Sequence, residues 1–311
     1  MIQLWYWFKR RTPQHFQPVI LVTGCSSGVG LAIADVLYTQ FQYRVIVTAR
    51  QGSLHILREK FKESDRFLIR PLDVTSNVER EILVKEIEAR WGCINILVNN
   101  AGISYRAVLE HMTESDEFHQ MSTNYLGPVA LIRLVMPKMR EAGRGKIINV
   151  SSVSGMLAMP TMSSYSASKY ALEGMSEALW YEARPLGINV SLIQPGFIRS
   201  NSFKNVYYTQ KSKPDEKGEF TGLYSDYYKN MAPFVEKLMS MSLTNPKAMS
   251  DLVLKVIQTE NPPLWIPATI DAAVFYYLRR LVPRRLLLPL LFFALPKSHL
   301  WNAKYTKRRF R

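Results

Sequence analysis

Two side chains in this sequence are spaced for proton chemistry. Tyr165 and Lys169 bracket the run Tyr165-Ser166-Ala167-Ser168-Lys169, so on a helix they share a face. A phenol with a reference pKa of about 10 is a poor base at neutral pH. An ammonium held within roughly 4 to 6 Å lowers such a pKa by about 1 to 3 units. A second run, Thr23-Gly24-Cys25-Ser26-Ser27-Gly28-Val29-Gly30, precedes the helical stripe Leu31, Ala32, Ile33, Val36 and Leu37. Glycines there let the backbone turn tightly and approach a pyrophosphate, while a helix N-terminus offers free N–H groups and a positive dipole end. Alone, the run would equally serve as an ordinary turn of an α/β protein. Cys25 and Cys93 are the only cysteines and no Cys/His cluster has metal-ligand spacing, so no metal is expected and a reducing compartment is favoured.

The elements that must position these residues read as repeated βαβ units. Strands are expected over Val19 to Thr23, Tyr43 to Thr48, Phe67 to Leu72, Ile94 to Val98, Lys146 to Val150 and Ile188 to Ile193. They are apolar almost throughout, without alternation, as strands covered on both faces are. Between them Ser76 to Arg90 carries a Ser cap, Glu79 three residues on, and Val78, Ile82, Leu83 and Ile87 as its apolar stripe. A doubly wound parallel α/β sheet, a Rossmann fold, follows. The domain runs over residues 18–268, with an insertion at 203–245 rich in Tyr and Met and with Leu264 to Ile266 as a last strand. Segments 1–17 and 269–311 flank it.

Four further motifs fall at strand ends or helix starts in a fixed order. Asn99-Asn100-Ala101-Gly102, Asn124-Tyr125-Leu126-Gly127, Ser151-Ser152 and Pro195-Gly196 join the glycine turn and the Tyr165/Lys169 pair. Together, over about residues 18 to 200, they resemble the short-chain dehydrogenase/reductase family, and within it the steroid- and retinoid-handling branches and the ketosphinganine reductases.

That resemblance implies that Tyr165 is the general acid in carbonyl reduction and the base in alcohol oxidation. It implies that Ser152 holds the substrate oxygen, with Ser151 as the confounder, that Lys169 binds the nicotinamide ribose, and that Asn124 holds a water linking Lys169 to solvent. It assigns the dinucleotide to Gly24, Ser26, Ser27, Gly28, Val29 and Gly30, to Arg50, to Asp73 and Val74, to Asn100, Ala101 and Gly102, to Tyr165 and Lys169, and to Pro195, Gly196 and Ile198. Asp73 matches the residue that contacts the adenine amino group, and it could also cap a helix. The second strand ends in Ala49-Arg50, without the carboxylate that binds a ribose 2′-OH and with an Arg suited to a 2′-phosphate, so NADP(H) is favoured over NAD(H).

The net charge of +15 sits at the ends. No Asp or Glu precedes Asp35 or follows Asp271, and residues 272–311 alone carry ten Lys and Arg. A nearly neutral body with basic termini argues against nucleic acid, for which no motif is present. Leu286 to Leu295 is too short to span a bilayer, which takes about 20 residues. Apolar blocks interleaved with Arg279, Arg280, Arg284 and Arg285 suit a helix lying on an anionic membrane. Met1 to Phe8, backed by Lys9, Arg10 and Arg11, would be a second contact and is a poor signal peptide. The competing reading packs these ends on the body or in a homo-oligomer interface. The expectation is thus a cytoplasmic, peripherally membrane-associated oxidoreductase interconverting a ketone or aldehyde and an alcohol on an apolar, lipid-like substrate. The alternatives are a catalytically silent NADP(H)-binding sensor and a membrane scaffold.

Overall fold

The computed structural model describes residues 17–200 and 206–301. The expected N-terminal membrane contact, part of the insertion and the basic tail after Trp301 lie outside the described residues. Seven strands, β1 (Val19–Val22), β2 (Arg44–Ala49), β3 (Phe67–Pro71), β4 (Ile96–Asn99), β5 (Gly145–Val150), β6 (Ile188–Gln194) and β7 (Trp265–Pro267), form one sheet in the order β3-β2-β1-β4-β5-β6-β7. Every neighbouring pair is parallel. Each expected strand is present within about two residues.

The apolar strands are buried on both faces, as their lack of alternation requires. One face packs on α1 (Gly28–Tyr38), α2 (Leu54–Lys60) and α8 (Pro246–Gln258), through Ile33, Leu37, Leu57, Met249 and Val253. The other packs on α3 (Asn77–Trp91), α5 (Gly127–Ala142) and α6 (Ser163–Ala183), through Leu83, Ile87, Leu131, Val135 and Leu179. Each such fully buried aliphatic side chain contributes about 1.5–3 kcal/mol, so the two layers hold the strand ends at fixed positions.

The expected stripe of α3 is half right. Ser76 caps the helix by accepting the Glu79 N–H, but the Glu79 carboxylate reaches past the cap to the Asp73 N–H at 2.6 Å. Leu83, Val84 and Ile87 face the core, while Val78 and Ile82 are exposed. With 3.6 residues per turn, Ile82 lies about 100° round the helix from Leu83. The buried place on that turn is taken by Arg80, whose guanidinium bonds the Val74 carbonyl.

After β6 the chain forms α7 (Ser225–Met241) inside the insertion, and after β7 it forms α9 (Ile270–Leu281) and α10 (Arg284–Ala294). Tyr228, Met231 and Val235 turn α7 inward. None of the helices among the described residues is long and apolar enough to cross a membrane.

Candidate active site

The sheet changes direction of build between β1 and β4, and the C-terminal ends of such neighbours open a crevice. Here the crevice is closed at its floor by side chain to backbone bonds. The Thr23 hydroxyl accepts the N–H groups of Asn100 at 3.1 Å and Ala101 at 3.0 Å, and the Asn100 amide donates to the carbonyls of Thr23 and Gly24. Gly24 (φ +71°) and Gly28 (φ +56°) take left-handed conformations that L side chains rarely adopt. A Cβ on Gly30 would run into the Gly24 carbonyl and the Asn100 amide. Ser27, the residue before α1, makes no side-chain cap, and the first turn holds no acid, which leaves its N–H groups for an outside anion. These features fit a dinucleotide pyrophosphate. Cys25 within the turn is no nucleophile, because burial pushes its thiol up to about 12.

Above this floor lies a cleft of ≈ 810 Å³. Every dinucleotide residue expected from the sequence lines it, as do Ser152, Tyr165 and Lys169. Asn124 does not. It is fully buried where the α4 (Glu114–Met121) to α5 junction widens to a π turn over Ser122–Leu126. Its Oδ1 accepts the Ile103 N–H at 2.9 Å, and both amide hydrogens are used, on the Ile103 carbonyl and the Ser168 hydroxyl. With Gln120, which bonds the Ile103 carbonyl and the Tyr105 N–H, it clamps the chain leaving Gly102.

Both serines border the cleft, but their side chains have different partners. Ser151 turns inward and donates to the buried Glu173 carboxylate at 2.7 Å. Ser152 turns to the cleft, where its hydroxyl bonds Tyr165 and accepts the Ser154 N–H at 3.1 Å. Lys169 donates to the Val150 carbonyl at 2.9 Å, and its Nζ lies 5.9 Å from the centre of the Tyr165 ring.

The electrostatics correct one expectation. Burial holds the Tyr165 hydroxyl above its ordinary pKa, outweighing the Ser152 hydrogen bond and the Arg106 charge. The Lys169 ammonium that the spacing brings near the phenol is itself desolvated and bonded to the Val150 carbonyl. Burial brings Lys169 down to about 8, against the upward pull of the Glu173 carboxylate. The phenol is therefore a stored proton next to a cation of tunable charge.

At the adenosine end Arg50 follows β2, its two terminal nitrogens each 3.5 Å from the Tyr207 hydroxyl. The Asp73 carboxylate accepts the N–H and hydroxyl of Thr75, so it closes a turn just ahead of the α3 cap. Burial opposes its charge, but the Thr75 bonds and Arg50 hold it below the usual carboxylate range. At the other end Met159, Met162, Phe197, Val235 and Met239 make the lining apolar. Met159 also borders an adjoining cavity of ≈ 530 Å³ with Val108, Tyr224 and Tyr227.

Four supports escaped the sequence reading. Glu173 accepts from Ser151 and Gln194 behind the catalytic face; its place four residues after Lys169 could have marked it. The Thr269 hydroxyl accepts the Gly196 N–H and the Asp271 carboxylate accepts the Phe197 N–H, both at 2.9 Å, pinning the loop after β6 from the root of α9. Arg106, near Tyr165 in the cleft, follows the Asn-Asn-Ala-Gly motif by four residues and carries no motif of its own.

This geometry agrees with what known proteins share with the chain. The short chain dehydrogenase family matches residues 18–211. A 3-ketodihydrosphingosine reductase of Bacteroides thetaiotaomicron is 35% identical over 79% of this chain and 85% of its own length. A short-chain dehydrogenase structure from Streptomyces avermitilis aligns with a TM-score of 0.73 at 30% identity, covering 90% of this chain and 98% of that one. A serine dehydrogenase complexed with NADP+ aligns with a TM-score of 0.64 at 26% identity, covering 80% of this chain and 94% of that one. The chain belongs to the short-chain dehydrogenase family and is an oxidoreductase acting on CH–OH groups.

Proposed function

We propose that this protein is an NADP(H)-dependent reductase of long, apolar ketones, of the kind of a 3-keto lipid. The observation that carries the reading is the position of Tyr165, a phenol kept protonated by burial, between the glycine cradle and an apolar wall. When bound, the dinucleotide supplies the hydride. Tyr165 gives its proton to the carbonyl oxygen as the carbonyl carbon is reduced, so ketone, hydride and proton together yield the alcohol. Ser152 donates a hydrogen bond to the same oxygen as negative charge builds on it. Lys169 holds the ribose with its ammonium and keeps a positive charge near the phenolate left behind. Asn124 fixes the Ile103 backbone and Ser168, and thereby the chain on which Gly102 and Lys169 meet.

NADP(H) is preferred in this reading because Arg50 lies in the cleft at the end of β2, where the strand itself carries no carboxylate, and the nearby Asp73 is engaged by Thr75. A bidentate guanidinium contact serves a 2′-phosphate and has nothing comparable to bind in NADH. Apolar substrate is favoured by the methionine and phenylalanine lining and by the likeness to a 3-ketodihydrosphingosine reductase. The test is oxidation of NADPH and of NADH with a ketone series from acetone-like to long-chain 3-keto lipids. Turnover that rises with chain length and prefers NADPH is expected, with the preference lost in Arg50→Ala. Turnover confined to short polar ketones, or a preference for NADH, would contradict the reading.

A further inference from the structure

Helices α9 and α10 present an apolar surface that the other described residues leave uncovered. Of the twenty large hydrophobic side chains exposed among the described residues, ten lie between Ile270 and Leu300. On α9 they are Ile270, Val274, Tyr277 and Leu281, a stripe at spacings of four, three and four. On α10 Leu286, Leu290 and Phe293 continue the same rhythm, and Leu288 is exposed on the other side of that helix.

The arm is fixed in place, which gives this surface a set orientation. Thr269 and Asp271 anchor its root to Gly196 and Phe197. Ala272 packs with Val153 and Met156 on the inner face of α9. Arg279 lies over the Tyr170 ring, 5.1 Å from its centre, and reaches the Gly155 carbonyl. Leu287 is the buried residue of α10, and at the far end Trp301 is buried against Tyr227, their rings 4.6 Å apart.

Charge decides what such a surface can meet. Arg280, Arg284 and Arg285 are exposed at the joint between the helices, and no acid follows Asp271, whose carboxylate is engaged by Phe197. A second copy docked face to face would bring these arginines together with no carboxylate of the arm to answer them. An anionic lipid surface supplies both the apolar phase and the counter-charge. We infer that α9 and α10 lie in the interface of an anionic bilayer, apolar rows inward and arginines at the phosphate level, and hold the catalytic body on the membrane.

The test is flotation of the full chain with vesicles of phosphatidylcholine alone and of phosphatidylcholine mixed equally with phosphatidylglycerol. Binding to the mixed vesicles is expected. The pair Arg284→Gln/Arg285→Gln should weaken it about thirtyfold, at roughly fivefold for each cation near an anionic surface. Leu286→Ser/Leu290→Ser/Phe293→Ser should weaken it by more than about a hundredfold. All five positions are exposed, so each variant should keep its NADPH affinity in solution, which checks folding independently of the membrane. A full chain that stays with neither vesicle overturns the proposal. So does sedimentation as a dimer that the Leu286/Leu290/Phe293 variant converts to monomer without vesicles, which would make the face a contact between copies.

Discussion

On the β1–β4 side of the cleft Thr23, Gly24, Gly30 and Asn100 are held by side-chain to backbone hydrogen bonds and close backbone contact, whereas on the opposite side Met159, Phe197, Val235 and Met239 meet through apolar side chains. A backbone contact tolerates one residue type, because a Cβ at Gly30 has no room and only a short hydroxyl reaches both N–H groups as Thr23 does. An apolar contact tolerates any combination that fills the volume. The first side can therefore be written as a motif and the second cannot. The side that receives the shared cofactor is spelled out residue by residue, while the side that selects a substrate is spelled only in composition.

The largest break in this comparison should come from the paired serines. Ser152→Ala is expected to lower kcat for carbonyl reduction by about 10²–10³, the usual effect of removing one donor to a developing oxyanion. Ser151→Ala should leave kcat within a few-fold and instead cost about 1–3 kcal/mol in urea unfolding, because Glu173 loses a buried partner. Steady-state rates and denaturation curves on both variants separate the two roles.

Next in size is the backbone side itself. Gly30→Ala should cost about 1–3 kcal/mol of stability from overpacking and abolish cofactor binding, because the Gly24 turn must open to admit the methyl. A titration of NADPH fluorescence together with a thermal melt measures both effects. On the apolar side, Asp271→Ala should loosen the Phe197 backbone, raising KM for the ketone several-fold with NADPH affinity nearly unchanged. If cofactor and substrate binding fell equally in Asp271→Ala, the two walls would not be separate devices.

The smallest effect is a shift along the pH axis. Lys169 is charged below about 8 and loses its charge as pH rises through that value, and the Glu173 carboxylate holds the value up. Glu173→Gln keeps the acceptor for Ser151 and Gln194 but removes the negative charge, so the alkaline limb of NADPH affinity should move to lower pH. A merely structural Glu173 would lower affinity evenly and leave the limb where it is.

Much of the cleft is legible in the sequence, and the exceptions share a cause. Strands β1 to β6 are readable because burial on both faces leaves unbroken apolar runs, and the residues lining the cleft because most of them follow a strand end or open a helix. Tyr165 and Lys169 are legible as a pair from their spacing, but not their electrostatics, which depend on burial and on Ser152, Arg106 and Glu173. Val78 and Ile82 misled because apolar residues on a neighbouring helix face look the same in one dimension. Thr269 and Asp271 were missed because their partners, Gly196 and Phe197, lie more than seventy residues away. Arg106 acts through proximity, which a single sequence does not display, whereas Glu173 is marked only by its spacing from Lys169.

The central claim is that Tyr165 is the proton donor in a site whose cofactor floor is independent of it. Single-turnover mixing of NADPH-loaded Tyr165→Phe with a long-chain ketone tests this most directly. The account predicts NADPH affinity within a few-fold of the wild type and a reduction rate lower by at least about 10². A variant that binds NADPH normally and keeps more than about a tenth of the rate, a loss under ~1.4 kcal/mol of transition-state stabilisation, would contradict it.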